Sequence, residues 1–579
     1  MKRTAGNTFL TDLLRLLVSQ MTSKGGAAMQ LMIGRGKKIG LLLLVLTVLF
    51  SGCAPQGGSG AQKAQINAAG TDTSRYIVAV EDEPDTVDFQ CTTIHYTIAQ
   101  NVFNRLVEME TCEKGCVKIL PSLAQSWEVS EDGRGYTFHL RENVKFSNDS
   151  PLTASDVLYT FTRLLTHPDS CNRDIVDDIL GAERLEKGEA DQLEGFQVMD
   201  GLTFTITLKE PFEAFLACLS MPGASILDEE TTKAAGERFG KDPAATIGTG
   251  SFILTDWRPG EGFLLKANPN CWEGAPKCEG LDLRFMTDAV DIRRAFENGE
   301  IDVLDLDEVG NAAEYFIHGD VYQNRLFQVQ RIGITYIALN ESVAPLNDVR
   351  VRKALQLALN RGVLLNAIYS DRGSVENGIF PHGLFGYNHD LPEIPYDPDG
   401  ALSLLAEAGY AEGLDLSFSV SASSTQWEMA LVRLVASMWE KVGVRANITV
   451  VETDEFMRRR MSGKLACYAA LWTADFNDPD NFIYTFFGNS ENTSFRSLCY
   501  PREDIMERVR KARAIVDEEA RVEEYRELER IIVQEDAAWI PLFSRTRYYV
   551  TSERLRGIQA SWNGSVKNKY REMSVLEMP

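Results

Sequence analysis

The chain has 579 residues, 25% of them charged and 44% hydrophobic, with a formal net charge of −24. That is a folded, globular composition with room for several domains, and it excludes a disordered or fibrous chain. The acidic excess argues against nucleic acid or an anionic lipid surface as partner.

The first predicted element is an export signal. Arg35, Lys37 and Lys38 precede an apolar run from Ile39 to Phe50, and Ser51-Gly52-Cys53 follows. A basic flank, about a dozen apolar residues and small residues at a cleavage point describe such a signal, and the run is short for a membrane span. Leu49-Phe50-Ser51-Gly52-Cys53 resembles a bacterial lipobox, which implies that Cys53 is lipidated and becomes the new N-terminus. Met32 starts a signal of ordinary length, so residues 1–31 are expected to reflect a misassigned start, with Met29 or Met32 the real one. Residues 54–73 are rich in Gly, Ser, Gln and Ala without an apolar period, as a flexible tether is. Seven basic residues and one acidic precede Cys53; the remainder carries 52 basic against 82 acidic, about −30.

Export permits disulfides, and Cys112/Cys116 and Cys271/Cys278 lie close enough in sequence to be candidates. Spacing does not fix connectivity, and the nine cysteines after Cys53 cannot all pair internally. Cys112-Glu-Lys-Gly-Cys116 has no second Cys/His pair nearby to complete a zinc site, and six scattered histidines suggest no metal enzyme. No cofactor is expected.

Tyr76 to Val80 reads as a buried strand, Glu81 to Asp88 as a turn and Thr92 to Leu106 as a helix. Ser122 to Ser130 leads through the turn Asp132-Gly133 to a half-buried strand, Tyr136 to Leu140. Thr153-Ala154-Ser155-Asp156 is a capping box opening a helix with Val157, Leu158, Phe161, Leu164 and Leu165 on its apolar face. Ala182 to Gly195 reads as a charged looping insertion. Glycines 248, 250, 260 and 262 punctuate two short strands, Phe252 to Leu254 and Phe263 to Lys266. Ile292 to Glu300 is predicted helical, and Ile301 to Leu306 a strand rimmed with carboxylates.

Several of these stretches, taken together, are similar to one family. Leu123-Ala124, Ser126-Trp127-Glu128, Asp132-Gly133, Tyr136-Thr137-Phe138, Leu140-Arg141, Val144-Lys145-Phe146 and Pro151 to Val157 resemble the signature of family 5 extracellular solute-binding proteins. Gly248-Thr249-Gly250, Trp257-Arg258-Pro259-Gly260 and Asn268-Pro269-Asn270-Cys271-Trp272 continue the resemblance. It implies an α/β, periplasmic-binding-protein-like fold of two lobes with mixed sheets, an extra domain and a hinged cleft. It also implies the peptide- or nickel-type receptor of an ABC importer, a monomer that delivers ligand to permease subunits. On that basis residues 74–107, 213–332 and 546–579 form lobe I, 108–212 the extra domain and 333–545 lobe II, with 1–52 the signal region and 53–73 the tether.

Beyond Gly333 the pattern changes. Ile334 to Leu339 is a strand, and Pro345-Leu346-Asn347-Asp348 starts an amphipathic helix. Asp397-Pro398 caps another helix, running to Gly409. Val444 to Val451 is a strand and Asp454 to Ser462 a helix, with Gly463 as its left-handed terminator. Ala466 to Trp472 then reads as a buried strand, apolar on both faces. Arg502 to Glu535 is a charged helical region, interrupted near Asp517 and read as a solvated outer face, and Ile540 to Val550 returns as a strand.

The candidate site follows the strand that ends at Trp472. Asp475, Asn477, Asp478, Pro479, Asp480 and Asn481 cap and turn a chain. A carboxylate leaving a buried strand beside Trp472 either makes an Asx turn or pairs with a cation. Trp472-Thr473-Ala474-Asp475-Phe476 and Asp478 to Phe482 are similar to the peptide-binding branch of the family. The resemblance implies that Asp475 receives a ligand's α-ammonium, cationic at neutral pH, with Trp472 as a cleft wall facing the cation or packed in the core. Ser423, Ser424 and Trp427 are either cleft lining or a turn and a helix start. One departure concerns the family's arginine for the peptide C-terminus, whose usual places hold Ala469 and Ser421. A longer peptide, a C-terminally modified one or a non-peptide amine fits that loss. A nickel chelate, haem, an opine or a sugar is the alternative ligand, and peptide signalling the alternative use. No Gly-x-Ser-x-Gly elbow and no His-Glu-x-x-His helix occurs, so no catalytic residue is expected.

Overall fold

The computed structural model describes residues 74–576 except 81–82, 93–95, 112–116 and 562–569. The signal, Cys53, the tether and the Cys112/Cys116 pair therefore lie outside the described residues.

Strand β1 (Arg75–Val80) runs parallel to a later strand, β10. The helix expected from Thr92 to Leu106 is shorter, α1 (Thr97–Val102), because Phe103 turns extended and Leu106 leads into β2 (Val107–Thr111), which pairs with β3 (Val117–Pro121). The predicted hairpin forms as β4 (Ala124–Val129) and β5 (Gly135–Leu140). Helix α2 (Ala154–Thr166) opens on the expected reciprocal capping of Thr153 and Asp156. The insertion after Ala182 is not all loop, since Ala182–Glu186 winds into a short helix that buries Ala182 and Leu185. Strands β6 (Phe196–Val198) and β7 (Thr203–Thr207) complete a sheet ordered β4-β5-β7-β6. Its core draws on residues from Leu106 to Ile226 and, from far along the chain, on Phe476.

Strands β8 (Phe252–Arg258), β9 (Gly262–Ala267) and β10 (Gly280–Phe285) form a mixed sheet with β1, ordered β1-β10-β9-β8. Helix α3 (Ala289–Glu297) begins and ends three residues before the predicted one, set by the Asp288 cap. Cys271 and Cys278 are both buried free thiols; Cys271 lies 3.7 Å from the Ser251 hydroxyl, and the candidate bridge is absent.

A third sheet contains β11 (Val303–Asp305), β12 (Leu326–Gln330), β13 (Gly333–Leu339), β14 (Gly373–Val375), β17 (Cys467–Thr473) and β18 (Trp539–Thr551). Strand β18 changes partners midway. Its Trp539–Arg545 half pairs with β13 and β14, and from Thr546 on it pairs with β12 and β11. The sheet is covered on both faces around β13. Ile334, Tyr336 and Ala338 enter one core, Ile337 and Leu339 the other, which is why the strand reads as uniformly apolar.

Helices α4 (Val349–Leu357) and α5 (Pro398–Glu407) start on the predicted caps Asp348 and Asp397. Strand β15 (Leu414–Ser421), helix α6 (Gln426–Glu440) and strand β16 (Val444–Val451) form a parallel β-α-β unit. Helix α7 (Thr453–Met461) ends before Gly463, at φ +67°. After β17 come α8 (Asp480–Phe487), α9 (Ser490–Phe495), α10 (Glu503–Ala512) and α11 (Glu518–Arg530), the last capped by Asp517. The charged α10–α11 region is not simply an outer face. Ile505, Met506, Val509, Tyr525 and Leu528 enter the core, and Arg521 and Glu529 are buried with them. Among the described residues no helix is long and apolar enough to cross a membrane.

Candidate functional site

Strand β17 ends its sheet, hydrogen-bonded only to β13, and from Ala469 onward its residues are half-buried rather than buried. The strand thus leaves the core toward open space at Thr473. The Ala474 N–H donates to the Ile332 carbonyl at 2.9 Å, the last rung before the chains part.

The polar residues that follow divide sharply. Asn477, Asp478, Asp480 and Asn481 are all buried. The Asn477 side-chain oxygen accepts the Phe385 N–H at 2.7 Å. Asp478 accepts the Asp480 N–H at 2.9 Å and holds Arg521, whose Nη1 is 2.9 Å from Oδ1. Asp480 takes the Tyr525 hydroxyl at 2.8 Å and Arg513 Nε at 3.3 Å. The Asx turn therefore belongs to Asp478. Asp475 is the exception: it is exposed, and among the described residues its Oδ1 accepts no hydrogen bond.

Asn481 positions that carboxylate. Its Nδ2 donates to Asp475 Oδ2 at 3.1 Å, while its Oδ1 accepts the Asp475 N–H at 3.0 Å and the Trp472 indole N–H at 3.3 Å. Although a water-sized sphere reaches Asp475, protein crowds it closely, and that burial pushes its carboxyl up to about 6. The Asn481 hydrogen bond and the Arg496 charge act the other way, and Asp174 adds to the rise. A side chain both reachable and crowded faces a concave, protein-walled space. Asp174 lies in the short 3-10 turn Arg173–Ile175, whose Ile175 enters the core of the β4-β5-β7-β6 sheet, and Phe476, next to Asp475, is buried in that same core. The turn after β17 thus sends Ala474 into one core and Phe476 into another.

Trp472 does face a cation, but that cation is the protein's own. The Arg496 guanidinium lies 4.6 Å from the Trp472 ring centre and 5.1 Å from that of Phe486. Trp472 is half-buried and meets Phe486 edge-on at 5.3 Å. The ring is thus packed in part against the core. Arg496 makes no ion pair with Asp475, so the carboxylate is not sealed by it. Ala474 and Phe476 are buried and anchor the turn, while Thr473, opposite Gly333, closes the strand.

Ser423, Ser424 and Trp427 form a second group. Ser423 and Ser424 lie in a turn with Ser421, and Thr425 caps α6 through a reciprocal bond with Glu428. Trp427 packs on Tyr369 with ring centres 5.7 Å apart, and Arg545 lies 5.8 Å from its ring centre. No hydrogen bond or ring contact joins these three to Asp475. Arg496 and Asp174 escaped sequence reasoning, because nothing in local periodicity marks residues that tertiary folding brings to a turn, and Asn481 was legible only as a turn residue, not as the partner of Asp475.

Two shallow surface hollows lie elsewhere: one is lined by Tyr159, Arg163, His167 and Lys233, the other by Glu455, Arg458, Arg459 and Lys464. Neither contains a residue of the Asp475 surroundings.

The chain is 28% identical over 537 residues to heme-binding protein A of Haemophilus influenzae, covering 90% of this chain and 96% of that protein. It is 29% identical over 474 residues to the dipeptide-binding protein of Escherichia coli, covering 79% and 86% respectively. The solved structure of HbpA2 from Haemophilus parasuis superposes with a TM-score of 0.73 at 26% identity, covering 87% of this chain and all of that one. The fold is the α/β periplasmic-binding-protein fold, with mixed sheets and flanking helices. The model of bacterial extracellular solute-binding proteins, family 5, matches residues 118–494, and the chain belongs to that family of binding proteins rather than to any class of enzyme.

Proposed function

We propose that this protein captures peptides by their free N-terminal ammonium, at Asp475, in a cleft between two lobes, and delivers them to the permease of an ABC importer. The observation that carries the reading is the division among the polar residues after β17: four are buried and tied to the protein, while Asp475 keeps one oxygen open in a crowded, solvent-reachable space. A cation bound there replaces the attraction that water provides to the carboxylate. The free edge of β17 beside it suits the extended backbone of a peptide, which bonds a strand edge regardless of side chains.

The partner switch of β18 between Arg545 and Thr546, and the passage from β12 to β13 at Arg331-Ile332, support a hinge between residues 546–579 and 333–545. Lipid on Cys53 holds the receptor at the outer face of the cell membrane. The test is calorimetry with short peptides carrying a free or an acetylated N-terminus. Binding of the free form with loss of at least a hundredfold on acetylation is expected; equal binding of both removes the ammonium anchor. Haem is the second reading, carried by the haem-binding relative. A haemin titration in the same instrument separates them.

A further inference from the structure

Among the described cysteines four are buried, Cys91 and Cys499 are half-buried, and Cys171 alone is exposed, so it is the described thiol most open to a solute. Cys91 and Cys171 are far apart in the chain, yet the fold sets their backbones side by side. The Cys171 N–H donates at 2.8 Å to the Gln90 carbonyl, whose carbon is bonded to the Cys91 nitrogen. A single hydrogen bond therefore separates the two main chains. That leaves the Cα atoms on the order of 6 Å apart, within the span of a disulfide. Asn172 repeats the join one residue on. Its Nδ2 donates to the carbonyls of Phe89 at 3.0 Å and Thr92 at 2.7 Å, on either side of Cys91.

Both halves of this contact are held from outside. Asp88 pairs with Arg163 of α2 at 2.5 Å and accepts the Gln90 N–H at 3.1 Å, and the Gln90 amide nitrogen donates to the Thr160 carbonyl at 3.0 Å. Around Cys171, Arg173 donates to the carbonyls of Leu165, His167 and Ser170. The Cys91 sulfur lies 3.4 Å from Asp88 Oδ2 and 3.5 Å from His167 Nδ1. That ring nitrogen accepts the Asp169 N–H at 3.3 Å, so it presents a lone pair, and both polar neighbours of the Cys91 thiol are proton acceptors. Burial and the Asp88 charge push this thiol up to about 12, so it rests protonated. A thiol without a stabilised thiolate favours a lasting bridge over a strongly oxidising one.

We infer that Cys91 and Cys171 form a disulfide when the folded protein meets a low-molecular-weight disulfide, an oxidant of the kind found outside the cytoplasm. The exposed Cys171 gives its proton to solvent, attacks one sulfur of the oxidant and expels the first small thiol. Cys91 then attacks the Cys171 sulfur of that mixed disulfide, passing its proton to His167 Nδ1 or to Asp88, and the second small thiol leaves. Two protein thiols and one small disulfide thus become one protein disulfide and two small thiols.

The bridge differs from both pairs that close spacing suggests, and it stands near the Asp475 turn. The Tyr96 hydroxyl donates to Asn172 Oδ1 at 3.1 Å and to the Thr92 carbonyl at 2.8 Å. Burial pushes that hydroxyl up, and the Asp475 and Asp174 charges add to the rise. A bond between Cys91 and Cys171 therefore fastens the segment that carries Asn172 and Asp174 to the segment ahead of α1. The loop it closes is long, so it also removes chain entropy from the unfolded state. It forms whatever ligand the cleft takes.

The probe is oxidised glutathione, applied to the folded, fully reduced full-length protein. Remaining thiols are then blocked with N-ethylmaleimide, and the protein is digested without reductant for mass spectrometry. The Cys91 and Cys171 peptides are expected to be joined to each other, and reduction before digestion is expected to release them. In Cys91→Ser the reaction stops with one glutathionyl group on Cys171. In Cys171→Ser, Cys91 stays an unmodified thiol; that substitution is on the surface, and thermal melts verify that both variants fold. Wild-type protein that stops at the glutathione adduct overturns the bridge. So does N-ethylmaleimide on both cysteines after oxidation, or either of them joined to a different cysteine. These wild-type outcomes decide the matter even where a variant fails to fold.

Discussion

Asn481 grips Asp475 from two directions: its amide nitrogen donates to the Asp475 carboxylate at 3.1 Å, and its amide oxygen accepts the Asp475 backbone N–H at 3.0 Å. The same oxygen takes the Trp472 indole N–H at 3.3 Å. One buried amide therefore fixes the rotamer of the carboxylate and ties it to the ring at the end of β17, leaving Oδ1 open. A site held this way loses little side-chain freedom when it binds.

Replacing Asp475 by alanine is expected to weaken peptide binding by roughly 3–5 kcal/mol, the cost of stranding a cation in a closed cleft. Asp475→Asn keeps the contact with Asn481 but removes the charge, so it should lose most of the same affinity with an unchanged melting temperature. Asn481→Ala should retain the charge and lose less, about 1–2 kcal/mol, through loosened positioning. Calorimetry on the three variants checks the ranking. A loss under tenfold in Asp475→Ala shows that the anchor lies elsewhere.

The raised carboxyl sets a pH profile for binding. Asp475 sits near 6 before ligand arrives, and a bound cation favours its ionised form, so binding releases a proton below about pH 6. Affinity should fall by up to about tenfold per unit as pH drops below 6. It should fall again above about 8, where the peptide ammonium deprotonates. Titrations from pH 4.5 to 9 are expected to trace a bell whose acidic limb disappears in Asp475→Asn; an unaltered acidic limb assigns it to another group.

Arg513 bridges Asp178 and Asp480, which are far apart in the chain. Its guanidinium lies 3.9 Å from the ring centres of both Phe212 and Tyr484, with Nη2 at 2.7 Å from Asp178 and Nε at 3.3 Å from Asp480. Burial alone would lower its proton affinity, but Asp480 and Asp178 outweigh that effect and raise it. Asp178 and Phe212 belong to the layer of the β4-β5-β7-β6 sheet, whereas Tyr484 and Asp480 lie on α8, so the contact ties that layer to α8 and, in the proposed two-lobed receptor, is expected to act as a latch for closure. Arg513→Gln should cost about 3 kcal/mol of closed-state stability, with both carboxylates stranded. Small-angle scattering should then show a larger radius of gyration in the absence of ligand, and ligand affinity should weaken even though Asp475 is untouched. Scattering identical to wild type removes the latch.

Glu529 supplies a stability prediction independent of ligand. It is buried on α11, accepts the Phe380 N–H at 2.8 Å, and burial pushes its carboxyl up to about 8. The folded state therefore holds a proton that the unfolded chain releases near 4.3. Between those two values folding takes up protons, so this group's contribution to stability falls as pH rises from about 4.5 to 8. Glu529→Gln keeps the hydrogen bond without the titration. Denaturant midpoints of the variant should gain on wild type as pH increases across that window; parallel curves exclude the assignment.

Much of the scaffold was legible in the residues. The capping box at Thr153, the helix starts at Asp348 and Asp397, the break near Asp517, the left-handed Gly463 and the apolar strands β13, β17 and β18 are local patterns, and they fold as local rules dictate. The misreadings came from residues whose partners are distant. The α10–α11 region is strongly charged, yet Arg521 is buried because Asp478, 43 positions away, neutralises it. Thr92 to Leu106 has helical composition, but β2 must begin at Val107 to meet β3, which shortens α1.

The sequence by itself determined the family, the apolar framework and the identity of Asp475 as the residue to watch, since side-chain type and short-range spacing carry those properties. Only the tertiary structure decided which of the acids after β17 keeps an open oxygen and which cation covers Trp472. Those outcomes depend on how many partners reach each charged group once the chain is packed, and pairing between residues tens to hundreds of positions apart leaves no mark in local sequence.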